Sequence, residues 1–362
     1  MTRIEKIEEI ERVSLSYGIP ISEVLFCEFN RTGVWLELSQ VPITHRVRFV
    51  CNDIFSEKST YFALPVRKRS ETRFMVDKYG RLMFGSVILG NTSYLEEDTC
   101  DCSYFRKDKK ILNLNSHRRG ECHGCVFCIH SYDITILNDR EEIIGEKKIR
   151  EFLKSFLKKN GFKDFSHFEQ IAVVTGLFGS EKSAVRHIAD IRKVAGELNF
   201  SGSIFYLGCE LTSKSALDEV KNYGPFSLCY SLDCFTQRAR RLALNKKDVS
   251  IPSIIKILEY ADKIGLEVTF SYVVGLDLIE DLFKGVNEIS QFVNRFPIVN
   301  IYQTQHSSQR RIMAPGAQSL DYYLRTRKFF EDVFVRSKLR PHNWENYRSL
   351  WYHYFGDEHL SE

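Results

Sequence analysis

The sequence has no strong excess of charge, no long apolar run and no low-complexity tract. Its 362 residues carry 51 basic and 47 acidic side chains, which gives a formal net charge of +4. So small a surplus gives no basis for binding nucleic acid, and we expect no nucleic-acid partner. No stretch approaches the roughly 18 consecutive apolar residues of a membrane span, so we expect no membrane partner either.

The first 18 residues, MTRIEKIEEIERVSLSYG, lack the apolar core of a secretory signal peptide, because charged side chains recur every few positions. We therefore expect a cytoplasmic protein. The chain has ten cysteines, but they do not form the dense, regular framework of a small disulfide-rich domain. Their clustering favours metal chemistry over disulfides.

A regular alternation of strand and helix patterns begins near residue 110. Six β-rich apolar runs occupy residues 110–115, 171–176, 203–208, 226–233, 267–275 and 297–305. Between them, apolar residues recur at helical spacing within 149–157, 185–198 and 279–293. A parallel sheet needs this alternation, since each crossover must return the chain across the sheet. The pattern predicts an α/β fold with a partial (βα)6 barrel of the TIM type.

The remaining parts of the chain lack this alternation. Residues 1–105 contain short strand-like runs and predict a small β-containing N-terminal domain, followed by the barrel over residues 106–335. Residues 336–362 are dense in Trp, Tyr and His. Because large rings dominate buried area, this composition is more typical of a packing cap than of a binding site, and we predict an aromatic-rich C-terminal cap.

Three cysteines follow the first predicted barrel strand in the segment RRGECHGCVFC, with Cys122, Cys125 and Cys128 at intervals of three. A structural zinc site would need a fourth protein ligand. The candidates for it are His123, His130, Cys100 and Cys102. An iron-sulfur cluster held by three cysteines leaves one iron open, which makes that iron reactive. The position of the triplet, at the carboxyl end of a barrel strand where such folds carry their chemistry, favours the cluster.

With Phe127 just before the last cysteine and five further βα units behind it, the segment from about 108 to 335 resembles the radical S-adenosylmethionine (radical SAM) enzymes. In that superfamily three cysteines, usually CxxxCxxC, hold a 4Fe-4S cluster whose fourth iron binds SAM. The present spacing is CxxCxxC, one residue shorter. The resemblance implies Cys122, Cys125 and Cys128 as metal ligands, a 4Fe-4S cluster and SAM as cofactors, and an external electron donor such as flavodoxin or ferredoxin.

The same resemblance implies residues that contact SAM near the strand ends. Thr175 and Gly176 lie in TGLFGSE, where many members carry Gly-Gly-Glu, and Gly275 ends the fifth strand, followed by Glu280. Ser231 belongs to the polar face of FSLCYSLD, and a basic residue after that strand is expected to bind the SAM carboxylate. The full set of expected SAM-binding residues is Thr175, Gly176, Glu210, Ser231, Arg241, Gly275 and His306.

The sequence leaves the substrate and the catalytic residues open, because one fold hosts many reactions. A small metabolite is the first expectation and a peptide the second, since no long cysteine-rich C-terminal extension is present. An auxiliary cluster at Cys100 and Cys102 is undecided. Two alternatives remain: a zinc-dependent binding module that uses the triplet as a structural site, and a cluster-bearing redox sensor or electron carrier.

Overall fold

The computed structural model of the chain describes residues 4, 6–37, 46–53, 59–98, 103–116, 125–128, 142–174, 176, 178–305, 307–342, 344–345 and 348–360. The helices within these residues are α1 Ile7–Tyr17, α2 Ile21–Thr32, α3 Glu146–Lys159, α4 Glu181–Glu197, α5 Lys214–Lys221, α6 Arg238–Arg241, α7 Leu244–Asp248, α8 Ile251–Lys263, α9 Ile279–Ile289 and α10 Leu320–Phe334. The strands are β1 Trp35–Leu36, β2 Arg46–Asp53, β3 Ser59–Pro65, β4 Phe74–Val76, β5 Arg81–Phe84, β6 Val87–Glu97, β7 Tyr104–Arg106, β8 Ile111–Leu114, β9 Gln170–Val174, β10 Ser203–Gly208, β11 Phe226–Asp233, β12 Glu267–Val274, β13 Ile298–Ile301, β14 Tyr354–Phe355 and β15 Glu358–His359.

The chain divides into two compact units, neither of which is continuous in sequence. Unit 1 comprises residues 1–100, 272–288 and 298–362, and unit 2 comprises residues 101–271 and 289–297. The fold is mixed α/β. No helix among the described residues is both long and apolar enough to cross a lipid bilayer.

Unit 1 is built on a six-stranded sheet of order β1-β4-β5-β6-β2-β3. Helix α2 supplies aromatic rings to the core of this unit. The ring centres of Phe29 and Phe62 of β3 are 4.9 Å apart, and those of Phe26 and Tyr352, near the C-terminus, are 5.2 Å apart. Trp351 and Tyr352 are almost fully buried. The aromatic residues close to the C-terminus therefore pack against the N-terminal part of the chain within this unit.

Unit 2 contains parallel strands that follow one another in chain order. Strands β8, β9, β10 and β11 are parallel, and their register aligns Leu112 with Ile171, Ile171 with Ile204, and Ile204 with Phe226. The short strand β7 is antiparallel to β8 and covers its other edge. Because register partners point to the same face of a sheet, these apolar residues form one continuous layer.

Serine side chains define where three helices of unit 2 begin. Ser180, Ser213 and Ser250 precede α4, α5 and α8 and accept hydrogen bonds from backbone N–H groups of the first turn. Such N-caps satisfy donors that the helix itself leaves unpaired. The apolar stripes of these helices then turn inward, as the sequence periodicity predicts for α4, where Ile188, Ile191 and Val194 are fully buried.

The observed elements match some sequence predictions closely and correct others. The fourth predicted strand, 226–233, coincides with β11, whereas the predicted strand at 297–305 shortens to β13, Ile298–Ile301. Residues 7–32 hold two helices, α1 and α2. The sequence predicted short strands in the N-terminal region but not these helices. Helix α2 is buried over most of its length, so its sequence lacks the clear polar face that marks a surface helix.

Candidate functional site

The two described cysteines of the triplet lie in a tight turn that follows β8 in the chain. The Cys128 N–H donates to the Cys125 carbonyl at 2.9 Å, and the Val126 N–H donates to the Arg241 carbonyl at 3.0 Å. The Ala243 N–H donates to the Cys125 sulfur at 3.2 Å. The backbone between α6 and α7 therefore holds the cysteine turn at two points. Cys122 lies outside the described residues.

The surroundings of Cys125 fit a metal-bound thiolate. Its side chain is 7% exposed, and a backbone N–H directed at the sulfur stabilises the negative form of that atom. Hydrogen bonds to ligand sulfurs are also among the factors that set the potential of an iron-sulfur cluster. The described residues, which do not include Cys122, contain no group of three or more His, Cys, Asp or Glu side chains that could hold a metal ion. Two of the three predicted metal ligands, Cys125 and Cys128, therefore lie in one turn.

A polar triad occupies the carboxyl end of β11. The Lys246 ammonium donates to the Ser231 hydroxyl and to an Asp233 carboxylate oxygen, both at 2.7 Å, and Ser231 donates to Asp233 at 3.2 Å. Ser231 and Asp233 are buried and lie on the same face of the strand, two residues apart. Asp233 has a φ of 64°, a left-handed conformation that is uncommon outside glycine. The strand therefore ends in a strained acidic residue that is paired with a cation.

Lys246 also links the triad electrostatically to two cysteines. Burial acts to lower the pKa of Lys246, but the attraction of Asp233 outweighs it, and the Cys125 and Cys209 sulfurs add to the same effect. The pKa of Lys246 consequently lies well above its usual value, and the residue is a cation. Lys246 therefore places a fixed positive charge beside Cys125.

The arginines after β11, Arg238 and Arg241, donate to nearby backbone carbonyls. Arg238 donates to the carbonyls of Leu232 and Cys234, at 2.6 and 2.7 Å, and to that of Lys246 at 3.0 Å. Arg241 is buried, and its guanidinium donates to the Thr236 carbonyl at 3.4 Å. These contacts shape the α6–α7 segment from inside. The basic side chain that reaches the polar end of β11 is Lys246.

Glu210 is buried directly after β10, and its carboxylate accepts three hydrogen bonds from within the unit. The donors are the Phe178 N–H at 3.0 Å, the Cys209 N–H at 2.8 Å and the Tyr206 hydroxyl. Burial, followed by the charge of Glu210, raises the pKa of Tyr206 well above its usual value, so the hydroxyl remains a donor. Because Phe178 follows β9, Glu210 ties together the loops after two neighbouring strands.

Glu181, the glutamate of the TGLFGSE segment, also connects two segments of unit 2 through hydrogen bonds. Its carboxylate accepts the Thr212 and Ser213 N–H groups at 2.6 and 2.7 Å and the Ser213 hydroxyl at 2.7 Å. It therefore joins the first turn of α4 to the loop that precedes α5. Gly176, in the same segment, is buried just after β9, whereas Thr175 is not among the described residues.

Gly275, a further expected SAM-binding residue, lies in unit 1. Its φ is 113°, and a Cβ there would lie 3.0 Å from the Tyr323 hydroxyl and 3.3 Å from the Tyr302 Cβ, so only glycine fits. The acidic side chain that is buried after it is Asp277, which accepts from the Tyr272 hydroxyl at 2.9 Å, whereas Glu280 is exposed. His306 lies outside the described residues.

The structure thus brings several predicted residues together within unit 2, namely Cys125, Cys128, Ser231 and the backbone of Arg241. Sequence reasoning missed Lys246 as a member of this group. The available signal was weak, since Lys246 and Lys247 are adjacent in a polar segment, and only the fold distinguishes the partly buried member from the exposed one. Asp233 was recognisable from the alternation of β11, which places it on the face of Ser231.

Comparisons with known proteins gave matches to solved structures alone: no protein-family model and no curated protein matches the chain. The chain is similar to SuiB of Streptococcus suis bound to precursor peptide SuiA, with 15% identity and a TM-score of 0.42 over 64% of this chain and 47% of SuiB. SuiB bound to S-adenosylmethionine gives 16% identity and a TM-score of 0.39 over 59% and 45% of the two chains.

A third similar structure is the radical S-adenosylmethionine methyltransferase TsrM from Kitasatospora setae, with tryptophan substrate and a SAM analogue bound. It shares 8% identity and a TM-score of 0.33 over 50% of this chain and 33% of TsrM. The matched regions span less than half the length of each of these proteins. Such values describe a distant likeness of part of the fold.

Proposed function

We propose that this chain is a radical SAM enzyme in which Cys122, Cys125 and Cys128 hold a 4Fe-4S cluster. When bound, the cluster supplies the electron that cleaves SAM and so starts hydrogen abstraction from a substrate. The observation that carries the proposal is the cysteine turn after β8, held by backbone contacts from the α6–α7 segment with an N–H directed at the Cys125 sulfur. A turn held in this way keeps two thiolates in fixed positions.

The order of the elements supports a partial (βα)6 barrel as the setting of this site. Strands β8 to β11 are parallel and in chain order, with α3, α4 and α5 between them. In barrels of this kind the chemistry takes place at the carboxyl ends of the strands. Cys125, Glu210 and Asp233 all lie at or just beyond such ends.

The polar triad supports binding of the amino-acid end of SAM, which carries an ammonium and a carboxylate. The Asp233 carboxylate and the Lys246 ammonium offer the complementary charges, with Ser231 between them. Lys246 takes the role for which the sequence pointed to Arg241. Glu210 affects SAM binding indirectly, because it fixes the loops after β9 and β10. The first of these loops contains Gly176. Contacts to SAM from Thr175, Gly275 and His306 remain part of the proposal.

The substrate of the proposed enzyme is a small metabolite or a peptide, and reduction of the cluster requires an external one-electron donor such as a flavodoxin or ferredoxin. Cys125, Ser231 and Asp233 are buried, which limits the access of bulk water to them. Exclusion of water protects reactive intermediates from side reactions. The residues of the chain thus position the cofactors and limit the access of water to them, while the cofactors carry out the bond cleavage.

The test is reconstitution without oxygen, with iron and sulfide, of the full-length protein and of Cys125→Ser. The serine hydroxyl keeps an acceptor for the Ala243 N–H, so the turn is retained while a soft metal ligand is lost. We expect about four irons per wild-type chain and release of 5′-deoxyadenosine from SAM with dithionite. We expect Cys125→Ser to lose most of the iron and all of the cleavage, with an unchanged circular dichroism spectrum.

The matched control is Cys27→Ala, which removes a buried cysteine of α2 in unit 1 and should leave iron content and SAM cleavage unchanged. A colourless protein with stoichiometric zinc would replace the proposal with the zinc-dependent binding module. A brown protein that never cleaves SAM would indicate the redox sensor or electron carrier. Full cleavage by Cys125→Ser would show that the ligands are misassigned.

A further inference from the structure

Positive charge is locally in excess on one short segment of unit 1. Residues 66–81, VRKRSETRFMVDKYGR, contain six basic and two acidic residues, a surplus of four that equals the formal net charge of +4 of the whole chain. Other stretches are basic too, residues 147–163 with seven basic and one acidic residue among them, so charge alone does not single out a binding surface. A small net charge over the whole chain does not exclude a local surplus, and a local surplus attracts anionic partners.

This segment lies along one edge of the six-stranded sheet. It consists of a loop, the three-residue strand β4 and the turn that leads into β5, and β4 is flanked by the two-residue edge strand β1. The cationic side chains exposed on the segment are Lys68, Arg69, Arg73 and Lys78. We call the surface formed by these residues, Trp35, Tyr79 and Arg81 the Tyr79 surface.

The acidic residues of the segment are neutralised by local contacts. Asp77 is 4% exposed, and its carboxylate accepts from the Arg81 guanidinium at 2.7 Å and from the N–H groups of Tyr79 and Arg81 at 2.9 Å. Glu71 accepts from Arg310 at 2.7 Å. Each acidic group of the segment therefore has an arginine partner, and an exposed carboxylate from outside the segment, Glu37, accepts the Lys78 N–H at 3.3 Å.

Two aromatic rings are interleaved with the cations. Tyr79 is 70% exposed at the tip of the turn, and the charged groups of Lys78 and Arg81 lie 5.1 Å from its ring centre. The Arg69 guanidinium lies 4.9 Å from the ring centre of Trp35, which is aligned with Met75 of β4. Both are cation–π contacts, and neither ring is buried in the core.

We propose that the Tyr79 surface binds single-stranded nucleic acid. Exposed cations attract phosphates, while exposed aromatic rings and arginine planes provide faces on which bases stack. An acidic polypeptide would also use the cations, but the exposed tyrosine ring adds a face on which a base stacks. The proposal is independent of the function proposed for unit 2.

The experiment measures fluorescence anisotropy of a labelled 12-nucleotide single-stranded RNA, and of the DNA of the same sequence, titrated with full-length protein at several salt concentrations. We expect Tyr79→Ala to weaken binding about tenfold and Tyr79→Phe to retain it, since stacking needs the ring and not the hydroxyl. Lys78→Ala should reduce the magnitude of the salt slope by about 0.7, the value for one phosphate contact to a single strand.

The control variant is Lys154→Ala on α3, which removes an equally exposed charge from unit 2 and should leave affinity and salt slope unchanged. Equal weakening by Lys154→Ala and Lys78→Ala would overturn the proposal, because the attraction would then be a property of the net charge. Absence of binding at 0.1 M salt would also overturn it. Labelled poly-glutamate that binds as tightly as the oligonucleotides, with no effect of Tyr79→Ala, would assign the surface to acidic polypeptides instead.

Discussion

At the scale of single residues, the end of β10 depends on a glycine whose importance comes from a neighbouring ring. The Tyr206 phenol lies over Gly208, and a Cβ at Gly208 would come within 2.3 Å of the ring and its hydroxyl. Tyr206 in turn donates to Glu210, which holds the loops after β9 and β10. Because Gly208 has no side chain, the Tyr206 ring can lie over it and donate to Glu210 at the candidate site.

We predict that Gly208→Ala lowers the unfolding free energy by about 1–3 kcal/mol, because the added carbon forces the ring out of a packed position. The displacement also separates the Tyr206 hydroxyl from Glu210. Urea unfolding followed by far-ultraviolet circular dichroism measures the change.

The matched control for Gly208→Ala is Gly196→Ala in α4, where a Cβ would meet nothing within 4 Å. There the substitution should stabilise the protein by about 0.5–1 kcal/mol, since alanine is the better helix former. Destabilisation by both substitutions to a similar extent would show that the Tyr206 contact is not responsible.

At the scale of elements, the sequence predicts best where a single periodicity dominates. Strand β11 alternates cleanly and was predicted with its bounds, and the stripe of α4 was predicted with its buried face. The segment of α6 and α7 was not predicted, because helices of four and five residues are too short to show a period. Yet this segment supplies Lys246 and the backbone contacts to the cysteine turn.

The candidate site was accordingly only partly predictable. Spacing alone singles out the three cysteines, and alternation places Ser231 and Asp233 on one face of β11. The roles of Glu210 and Glu181 were not predictable, because each accepts hydrogen bonds from backbone groups of a segment distant in sequence. Nothing in the amino-acid pattern marks which backbone N–H groups a fold will present to a carboxylate.

The contact between α4 and the loop before α5 should depend on pH through Glu181. Burial alone would raise the pKa of Glu181, but the hydrogen bonds from Ser213 and Thr212 outweigh it and hold the pKa below its usual value. A depressed folded-state pKa contributes stability above the unfolded pKa of about 4.3, and that contribution is lost as the pH falls through the folded value.

We predict that wild type is more stable than Glu181→Gln at pH 7 and that the difference shrinks as the pH falls from about 5 to 3. Urea unfolding at a series of pH values measures the difference. The matched control is Glu151→Gln, an exposed carboxylate on α3. A difference between wild type and Glu181→Gln that stays constant to pH 3 would contradict the assignment of the charged form as the hydrogen-bond acceptor.

At the scale of the whole molecule, unit 1 joins the two ends of the described chain through buried charges. The Arg327 guanidinium, on α10, contacts the Glu23 carboxylate of α2 and donates to Glu331 at 2.8 Å and to the Tyr354 carbonyl at 2.6 Å. Glu23 also accepts the Tyr352 N–H at 3.0 Å. Arg327 and Glu23 are fully buried. A helix from the N-terminal part of the chain therefore depends on residues more than 300 positions away.

We predict that Arg327→Met destabilises unit 1 by about 3–5 kcal/mol, because it leaves the Glu23 carboxylate buried without its cation. Arg327→Lys should restore little of this, since one ammonium cannot replace a planar group that contacts several acceptors at once. The three tryptophans, Trp35, Trp344 and Trp351, all lie in unit 1, so tryptophan fluorescence during urea unfolding reports on that unit alone.

Two further variants decide whether the cause is the uncompensated charge. Arg325→Met removes an exposed arginine from the same helix and should shift the unfolding midpoint little. Combining Arg327→Met with Glu23→Gln removes the buried negative charge while keeping an acceptor for the Tyr352 N–H, so the double variant should be more stable than Arg327→Met alone. If the double variant is less stable by the sum of both single effects, lost packing around α10 is the cause, and the ion pair is not what holds the two ends of unit 1 together.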